Sequence, residues 1–204
     1  MNEQIKKRLK RSAILCTIAL VIGIGAGFLE LNGQNARVIN KPMAGVKIGG
    51  PYELTDQNGK TVTDQDFPGQ YKLIYFGFTF CPAICPAELG KMTKALRALG
   101  PDADKIKPLF MTIDPERDTP AVLKNYLTMF DPRITGLTGP KDKMDTMLKD
   151  YKIFAAKRQQ PEMDDYTMDH SSFIYLLDPQ GNLLSIYRTE DNADLMVEDI
   201  GDKI

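Results

Sequence analysis

Histidine is almost missing from this sequence: its 204 residues include one, at position 170, and tryptophan is absent. A single histidine excludes sites that need two, among them the blue-copper centre and the zinc-protease helix motif. The sequence also has almost no net charge, because it contains 26 basic and 27 acidic residues. That balance does not indicate nucleic-acid binding. The sequence also has no strongly acidic tail of the kind that would indicate disorder.

Cysteine is also scarce, and the first of the three, Cys16, lies in an uncharged apolar run at residues 13–29. Five basic residues precede the run. A helix of this length is roughly 25 Å long, close to the thickness of a bilayer core, and basic flanks stay in the cytoplasm. The run therefore predicts a single-pass anchor in a bacterial inner membrane, with the rest of the chain in the periplasm. A cleaved signal peptide is the alternative, and Cys16 is expected to serve as a small apolar side chain.

The chain accordingly divides into four predicted parts. Residues 1–12 form a basic cytoplasmic tail and 13–29 the anchor or signal segment. Residues 30–48, rich in Gly and Asn and without periodicity, form a linker. Residues 49–204 form one domain.

Within that domain, stretches typical of strands alternate with stretches typical of helices. Asn58-Gly59 predicts a hairpin turn near its start. Strands are predicted at 71–78, 107–114, 134–139 and 152–158, with two more within 170–189; helices are predicted at 86–99, 119–130, 140–151 and in the tail. This order predicts an α/β sheet with helices on both faces and an antiparallel pair at one edge, in outline a thioredoxin-like fold with an N-terminal β-hairpin.

The other two cysteines follow the predicted central strand in LIYFGFTFCPAICPAEL, residues 73–89. Proline favours the first helical position, which would put Pro86 there and make Cys85 the last non-helical residue, near the cap. Cys81 would then share the positive end of the helix with Cys85, which favours thiolates. In an oxidising compartment the pair can form a disulfide, hold a metal or alternate between the two. A static disulfide is disfavoured because its loop would be very short.

His170 is the second half of the predicted site. It lies where a loop enters a strand expected beside the central ones, in the loop that carries a cis-proline in thioredoxin-like enzymes. Two thiolates and one imidazole suit copper. A zinc site is the alternative metal, but a closed structural zinc site uses four ligands. An ordinary core histidine remains the simplest alternative.

Three motifs extend this pattern over the whole domain: GGPYELTDQNGKTVTDQDFPGQYKLIYFGFTFCPAICPAEL, TIDPERDTPAVL and DYTMDHSSFIYLLDPQGNL. Together with the N-terminal anchor they resemble the Sco (SenC) family of membrane-anchored, thioredoxin-like copper proteins. The resemblance implies that Cys81, Cys85 and His170 bind one copper ion, Cu(I) or Cu(II). Two positions depart from a common family pattern: Ala83 stands where an aspartate is often found, and Phe80 stands where many members have a histidine.

The resemblance also implies a role in the assembly of cytochrome c oxidase. As a metallochaperone rather than an enzyme, the protein would deliver copper to the dinuclear copper centre of that oxidase. Its expected partners are the copper-centre subunit and, as a candidate source of copper, another chaperone. The alternative is a thiol-disulfide reductase that keeps the cysteines of an exported copper protein reduced.

The motif TIDPERDTPAVL allows two interpretations of Asp114. It can simply end a strand, while Asp118 and Thr119 prepare the next helix. Alternatively, Asp114 is an outer-shell group of the copper site.

Overall fold

A seven-stranded mixed sheet organises the described part of the chain, which comprises residues 48–159 and 165–204 of a computed structural model. The predicted anchor, with Cys16, lies outside the described residues, as does all of the predicted linker except Ile48. Within the described ranges, no helix has the length and apolar character needed to cross a membrane.

The described elements follow the predicted alternation. The strands are β1 (Glu53–Asp56), β2 (Thr61–Thr63), β3 (Tyr71–Gly77), β4 (Ile106–Thr112), β5 (Thr135–Thr138), β6 (Ala155–Gln159), β7 (Tyr166–His170), β8 (Ile174–Leu177) and β9 (Leu183–Tyr187). The α-helices are α1 (Ile84–Ala98), α2 (Pro120–Leu127), α3 (Lys141–Asp150) and α4 (Ala193–Gly201). Short 3-10 helices occupy Asp64–Asp66 and Gly100–Lys105.

Strand β3 lies inside the sheet because its residues are apolar on both faces, and six of its seven residues are buried. It pairs in parallel with β4 and antiparallel with β8. The full order is β2-β1-β5-β4-β3-β8-β9, so the predicted hairpin forms one edge and the β8–β9 pair the other. Gly59 in the hairpin turn has φ +82°, which confirms the expected need for glycine there.

Helices cover both faces of the sheet, as predicted. On one face, Tyr75 of β3 contacts Cys85 of α1, and Phe110 of β4 packs against Tyr126 of α2. On the other face, Phe76 packs against Tyr151, which directly follows α3. The cysteine segment therefore lies at the carboxyl end of β3, where open α/β sheets bind their ligands.

The prediction for the region around His170 is wrong in one respect. The segment Tyr166–His170 is itself a strand, β7, which pairs with β6 in a separate two-stranded sheet. The predicted strand that begins at His170 begins instead at Ile174 and pairs with β3 as expected. His170 is thus the last residue of β7, and three residues separate it from Ile174, where β8 of the central sheet begins.

Candidate metal centre

Helix α1 begins at Ile84, two residues earlier than predicted. The prediction that Cys85 is the last non-helical residue and Pro86 the first helical one is therefore wrong, since both lie in the first turn. Proline fits there because the first four N–H groups of a helix have no partner within it. The N–H of Cys85 is one of those groups, and it donates to the Sγ of Cys81 at 3.4 Å. The Cys81 sulfur thus accepts the hydrogen bond from a helix N–H group that a capping side chain would otherwise accept.

The environment of Cys81 favours a thiolate. A hydrogen bond from the Cys85 side chain and backbone N–H groups of Cys85, Ala83 and Ile84 lower the pKa of Cys81 to about 5, despite burial. This confirms the expectation that the helix start favours thiolate, for Cys81 alone. No disulfide joins the two residues, and both are free thiols.

We expect the metal-free, reduced protein to show a thiolate transition near pH 5 in its ultraviolet absorbance. Because the pKa of Cys81 is lowered in the folded state, the stability that its thiolate contributes is present above the pKa of an unfolded thiol. This contribution to the free energy of unfolding is lost as the pH falls through about 5. Cys81→Ser should lack both the transition and this loss of stability. A transition in the wild type at the position of an ordinary thiol, near ~8.5, would contradict the prediction.

Cys85 is the more enclosed sulfur. It is fully buried, and the hydroxyl of Tyr75 donates to its Sγ at 3.4 Å. The hydrogen bond that it makes to the Cys81 thiolate, together with burial, raises the pKa of the Cys85 thiol. Gly77 makes room for this sulfur, since a Cβ at position 77 would lie 2.8 Å from it. The pair therefore holds one thiolate and one thiol when no metal is bound.

His170 reaches this pair from β7. Its Nδ1 lies 2.9 Å from the carbonyl oxygen of Ser171, which can only accept, so Nδ1 carries the proton. The unprotonated Nε2 lies 3.9 Å from the Sγ of Cys85, and the ring makes an edge contact with Phe78. Burial lowers the pKa of His170, which keeps the imidazole neutral and able to bind a metal.

The fold thus brings Cys81, Cys85 and His170 to one place. A sulfur and a nitrogen bound to the same tetrahedral or trigonal ion are roughly 3.5–3.7 Å apart, given metal–ligand bonds of about 2.3 and 2.0 Å. The distance from the Cys85 sulfur to the His170 Nε2, 3.9 Å, is slightly longer than that range. Among the described residues, no group of three or more His, Cys, Asp or Glu side chains is already arranged around a metal-sized space. A small inward movement of these side chains would be needed to hold an ion.

Asp118 anchors the loop before Cys81, which the sequence did not predict. Its buried carboxylate accepts hydrogen bonds from the N–H and the hydroxyl of Thr79, at 3.1 and 2.6 Å, and from the hydroxyl of Thr112 at 2.6 Å. The N-cap of α2 is Thr119, as predicted. Asp118 instead ties the end of β4 to the cysteine loop. Its position in the loop between β4 and α2, at the carboxyl edge of the sheet, was the available signal.

Asp114 is hydrogen-bonded to Arg117 and Tyr166, and among the described residues it makes no hydrogen bond to either cysteine. Its carboxylate accepts from the Nε of Arg117 at 2.5 Å and from the hydroxyl of Tyr166 at 2.7 Å. Arg117 also donates to the carbonyl of Tyr166 at 2.9 Å. The guanidinium stacks on the rings of Tyr166 and Phe80, at 3.7 and 4.6 Å from their centroids. Arg117, which the sequence did not single out, therefore connects the residue before Cys81 with the strand that carries His170.

The family model described as SCO1/SenC matches residues 40–204. The chain belongs to the SCO1/SenC family. A relative from Rickettsia felis, a SCO2-like protein, is 42% identical over 194 residues, which cover 91% of this chain and 93% of that protein. The family expected from the three motifs is thereby confirmed.

Solved structures of the family share this fold. ScoI of Bradyrhizobium japonicum with copper bound is 43% identical, with a TM-score of 0.72, over 77% of this chain and 99% of that chain. BsSco is 26% identical, with a TM-score of 0.62, over 80% of this chain and 95% of that chain. BsSco is described as a member of the Sco family of cytochrome c oxidase assembly proteins in which a disulfide switch is identified. These structures confirm the thioredoxin-like α/β fold. They also show that in the ScoI relative a chain corresponding to the domain alone folds.

Proposed function

We propose that this protein is a copper metallochaperone that holds one copper ion through Cys81, Cys85 and His170 and delivers it to the dinuclear copper centre of cytochrome c oxidase. The observation that carries the proposal is the approach of the neutral Nε2 of His170 to the Cys85 sulfur, beside the Cys81 thiolate. The copper bound in the ScoI relative supports the choice of metal.

The chemistry of the three donors also favours copper as the cargo. Soft thiolates suit Cu(I), while an imidazole adds a ligand that suits Cu(II), so the same set can hold both oxidation states. With two cysteines and one histidine, the set is one ligand short of a closed structural zinc site. Binding must remove the proton of Cys85, whose thiol has a raised pKa, so binding should be weaker in acid.

Delivery needs a surface that a partner can contact next to the metal. Phe80 and Ile84, on either side of Cys81, are 52% and 41% exposed although both are large and apolar. Exposed apolar side chains beside a site are typical of contacts with another protein. We infer that the copper-centre subunit docks at this end of the domain, and that another chaperone loading the site would use the same end.

The proposal is tested by mixing the copper-loaded domain (residues 41–204) with the reduced, copper-free soluble domain of the oxidase copper-centre subunit. After separation, copper should be found in the oxidase domain, with the absorption of its dinuclear centre. His170→Ala should deliver at least about tenfold less Cu(II), because one of three ligands is lost. Retention of all copper by the wild type, or equal delivery by His170→Ala, would contradict copper delivery through this site.

A thiol-disulfide reductase is the second candidate, favoured by the low pKa of Cys81 and by the hydrogen bond between its sulfur and the Cys85 side chain. The disulfide switch identified in BsSco also supports redox chemistry at such a pair. A reductase would convert the disulfide of an oxidised copper-centre domain to thiols without copper, and His170→Ala would keep this activity. Loss of activity in Cys81→Ser or Cys85→Ser but not in His170→Ala would therefore favour the reductase.

We further propose that residues 13–29 anchor the chain in a bacterial inner membrane, with residues 1–12 in the cytoplasm and the domain, residues 49–204, in the periplasm. The support is the uncharged run and its basic flank. This arrangement would place the thiol pair in the compartment where the copper centre of an exported oxidase subunit is assembled.

A further inference from the structure

The hydroxyl of Tyr75 contacts a proposed copper ligand from inside the protein. Tyr75 lies on β3, is fully buried, and donates a hydrogen bond to the Sγ of Cys85 at 3.4 Å. Cys85 is fully buried as well, so bulk water does not reach this contact. A hydrogen bond in such a place is electrostatically stronger than one at the surface.

The packing around Tyr75 fixes this hydroxyl in place. Tyr75 and Phe110 are register partners in the parallel β3–β4 pair, and their rings stack with centroids 6.1 Å apart. Gly77 leaves the space in which the ring and the sulfur meet. A Cβ at position 77 would lie 2.8 Å from the Cys85 Sγ and 2.8 Å from a carbon of the Tyr75 ring, which is too close for both. A side chain there would therefore displace the donor or the sulfur.

The hydrogen-bond donors to the two sulfurs differ in kind. The backbone N–H of Cys85 donates to the Cys81 sulfur, and the backbone N–H of Phe78 favours the thiolate of Cys85. The hydroxyl of Tyr75, by contrast, belongs to a side chain, so a single replacement removes it. A copper-bound thiolate has no proton of its own, and the hydroxyl is then necessarily the donor in this contact.

A hydrogen bond to a metal-bound sulfur changes the preference of a site between the two oxidation states of copper. The sulfur gives less electron density to Cu(II) when it also accepts a hydrogen bond, and it carries more negative charge when the ion is Cu(I). Hydrogen bonds around a ligating sulfur accordingly tune the reduction potentials of copper and iron–sulfur centres. The bond from Tyr75 thus stabilises bound Cu(I) relative to bound Cu(II).

We propose that Tyr75 sets the preference of the site for Cu(I) over Cu(II) through its hydrogen bond to the Cys85 sulfur. The inference rests on the proposed copper site and goes beyond it, because the three ligands by themselves accommodate both oxidation states. Tyr75 is not a ligand; it acts on the ion through Cys85. The protein accordingly holds its cargo more firmly as Cu(I).

The test compares Tyr75→Phe with the wild type as full-length protein in detergent, loaded anaerobically with one copper ion. The variant keeps the ring and removes only the hydroxyl. Titration against a redox couple, followed by the Cu(II) spin-resonance signal, measures the equilibrium constant for reduction of the bound ion. We expect this constant to fall by about fivefold or more, which is part of the full effect of losing a hydrogen bond to a charged group. The sulfur-to-Cu(II) charge-transfer band should move to longer wavelength, because the sulfur gives up an electron more readily without the hydrogen bond.

Tyr126→Phe is the matched control. It removes another tyrosine hydroxyl, on a ring that also packs against Phe110, but in the described part of the chain this buried hydroxyl has no hydrogen-bond partner. The control should change neither the constant nor the band. A constant that is the same in Tyr75→Phe and the wild type would overturn the proposal, as would equal changes in Tyr75→Phe and Tyr126→Phe.

The wild type separates failure of this inference from failure of the proposed function. A wild type that shows no sulfur-to-copper band would overturn the copper site and the role of Tyr75 together. A wild-type band that Tyr75→Phe leaves unchanged would overturn the role of Tyr75 alone.

Discussion

Replacing Cys85 by serine in the full chain is expected to lower the affinity for Cu(I) by more than the roughly 10–100-fold that the loss of an outer-shell partner costs. Cys85 is fully buried and contacts the Tyr75 hydroxyl and the His170 ring, so its replacement leaves Cys81 as the one sulfur of the proposed ligand set. A serine oxygen is shorter and harder than a thiolate and suits Cu(I) poorly. Competition against a Cu(I) chelator of known affinity measures the loss.

The third cysteine supplies the matched control. Cys16→Ser makes the same chemical change at a cysteine of the predicted anchor that is not a proposed ligand, and it should leave the affinity unchanged. Circular dichroism would establish that each variant is folded. If Cys85→Ser is folded and holds Cu(I) as tightly as Cys16→Ser, the cysteine pair is not the copper site.

The second large effect is expected for Arg117→Met, which should lower the free energy of unfolding by about 3 kcal/mol. The carboxylate of Asp114 is 1% exposed and would lose its only charged partner among the described residues, while the carbonyl of Tyr166 would lose a donor. Urea denaturation of the metal-free, reduced protein measures the change. Arg188→Met is the control, because its ion pair with Glu190 is exposed and should contribute less than about 1 kcal/mol.

Arg117→Met should also weaken copper binding, although Arg117 is not one of the proposed copper ligands. The guanidinium holds the first residue of β7, and β7 ends at His170, so its loss should loosen the imidazole relative to the sulfurs. We expect about a tenfold loss of Cu(II) affinity and a change in the Cu(II) spin-resonance spectrum, with Cu(I) binding through the two cysteines affected less. An unchanged spectrum together with unchanged affinity would show that Arg117 acts on stability alone, and that Asp114 and Arg117 have no outer-shell role.

The sequence predicted the elements that can be identified from their own residues, without knowledge of their neighbours in the fold. Strand β3 was predicted to within one residue because its apolar residues are buried on both faces, a pattern that needs no knowledge of its neighbours. The N-cap Thr119 was predicted because a threonine before a proline marks a helix start locally. The three residues proposed as copper ligands could be singled out from the sequence because cysteine and histidine are rare in this chain and because the family resemblance points to the same positions.

Other features depend on contacts that no local pattern contains. Strand β7 was missed because its residues are half-exposed and it pairs outside the main sheet, so it carries no buried apolar signal. The start of α1 was placed too late because Cys81, four residues before Cys85, satisfies one of the free N–H groups. Asp118 and Arg117 act on segments 39 and 49 residues away in sequence, which only the folded chain brings together.

The central claim is that one copper ion is bound by two sulfurs and one imidazole nitrogen. X-ray absorption at the copper edge of the copper-loaded domain measures those ligands directly. We predict two sulfurs and one nitrogen in the wild type, and two sulfurs with the imidazole signal lost in His170→Ala. An imidazole signal that is missing from the wild type, or that is the same in both proteins, would contradict it.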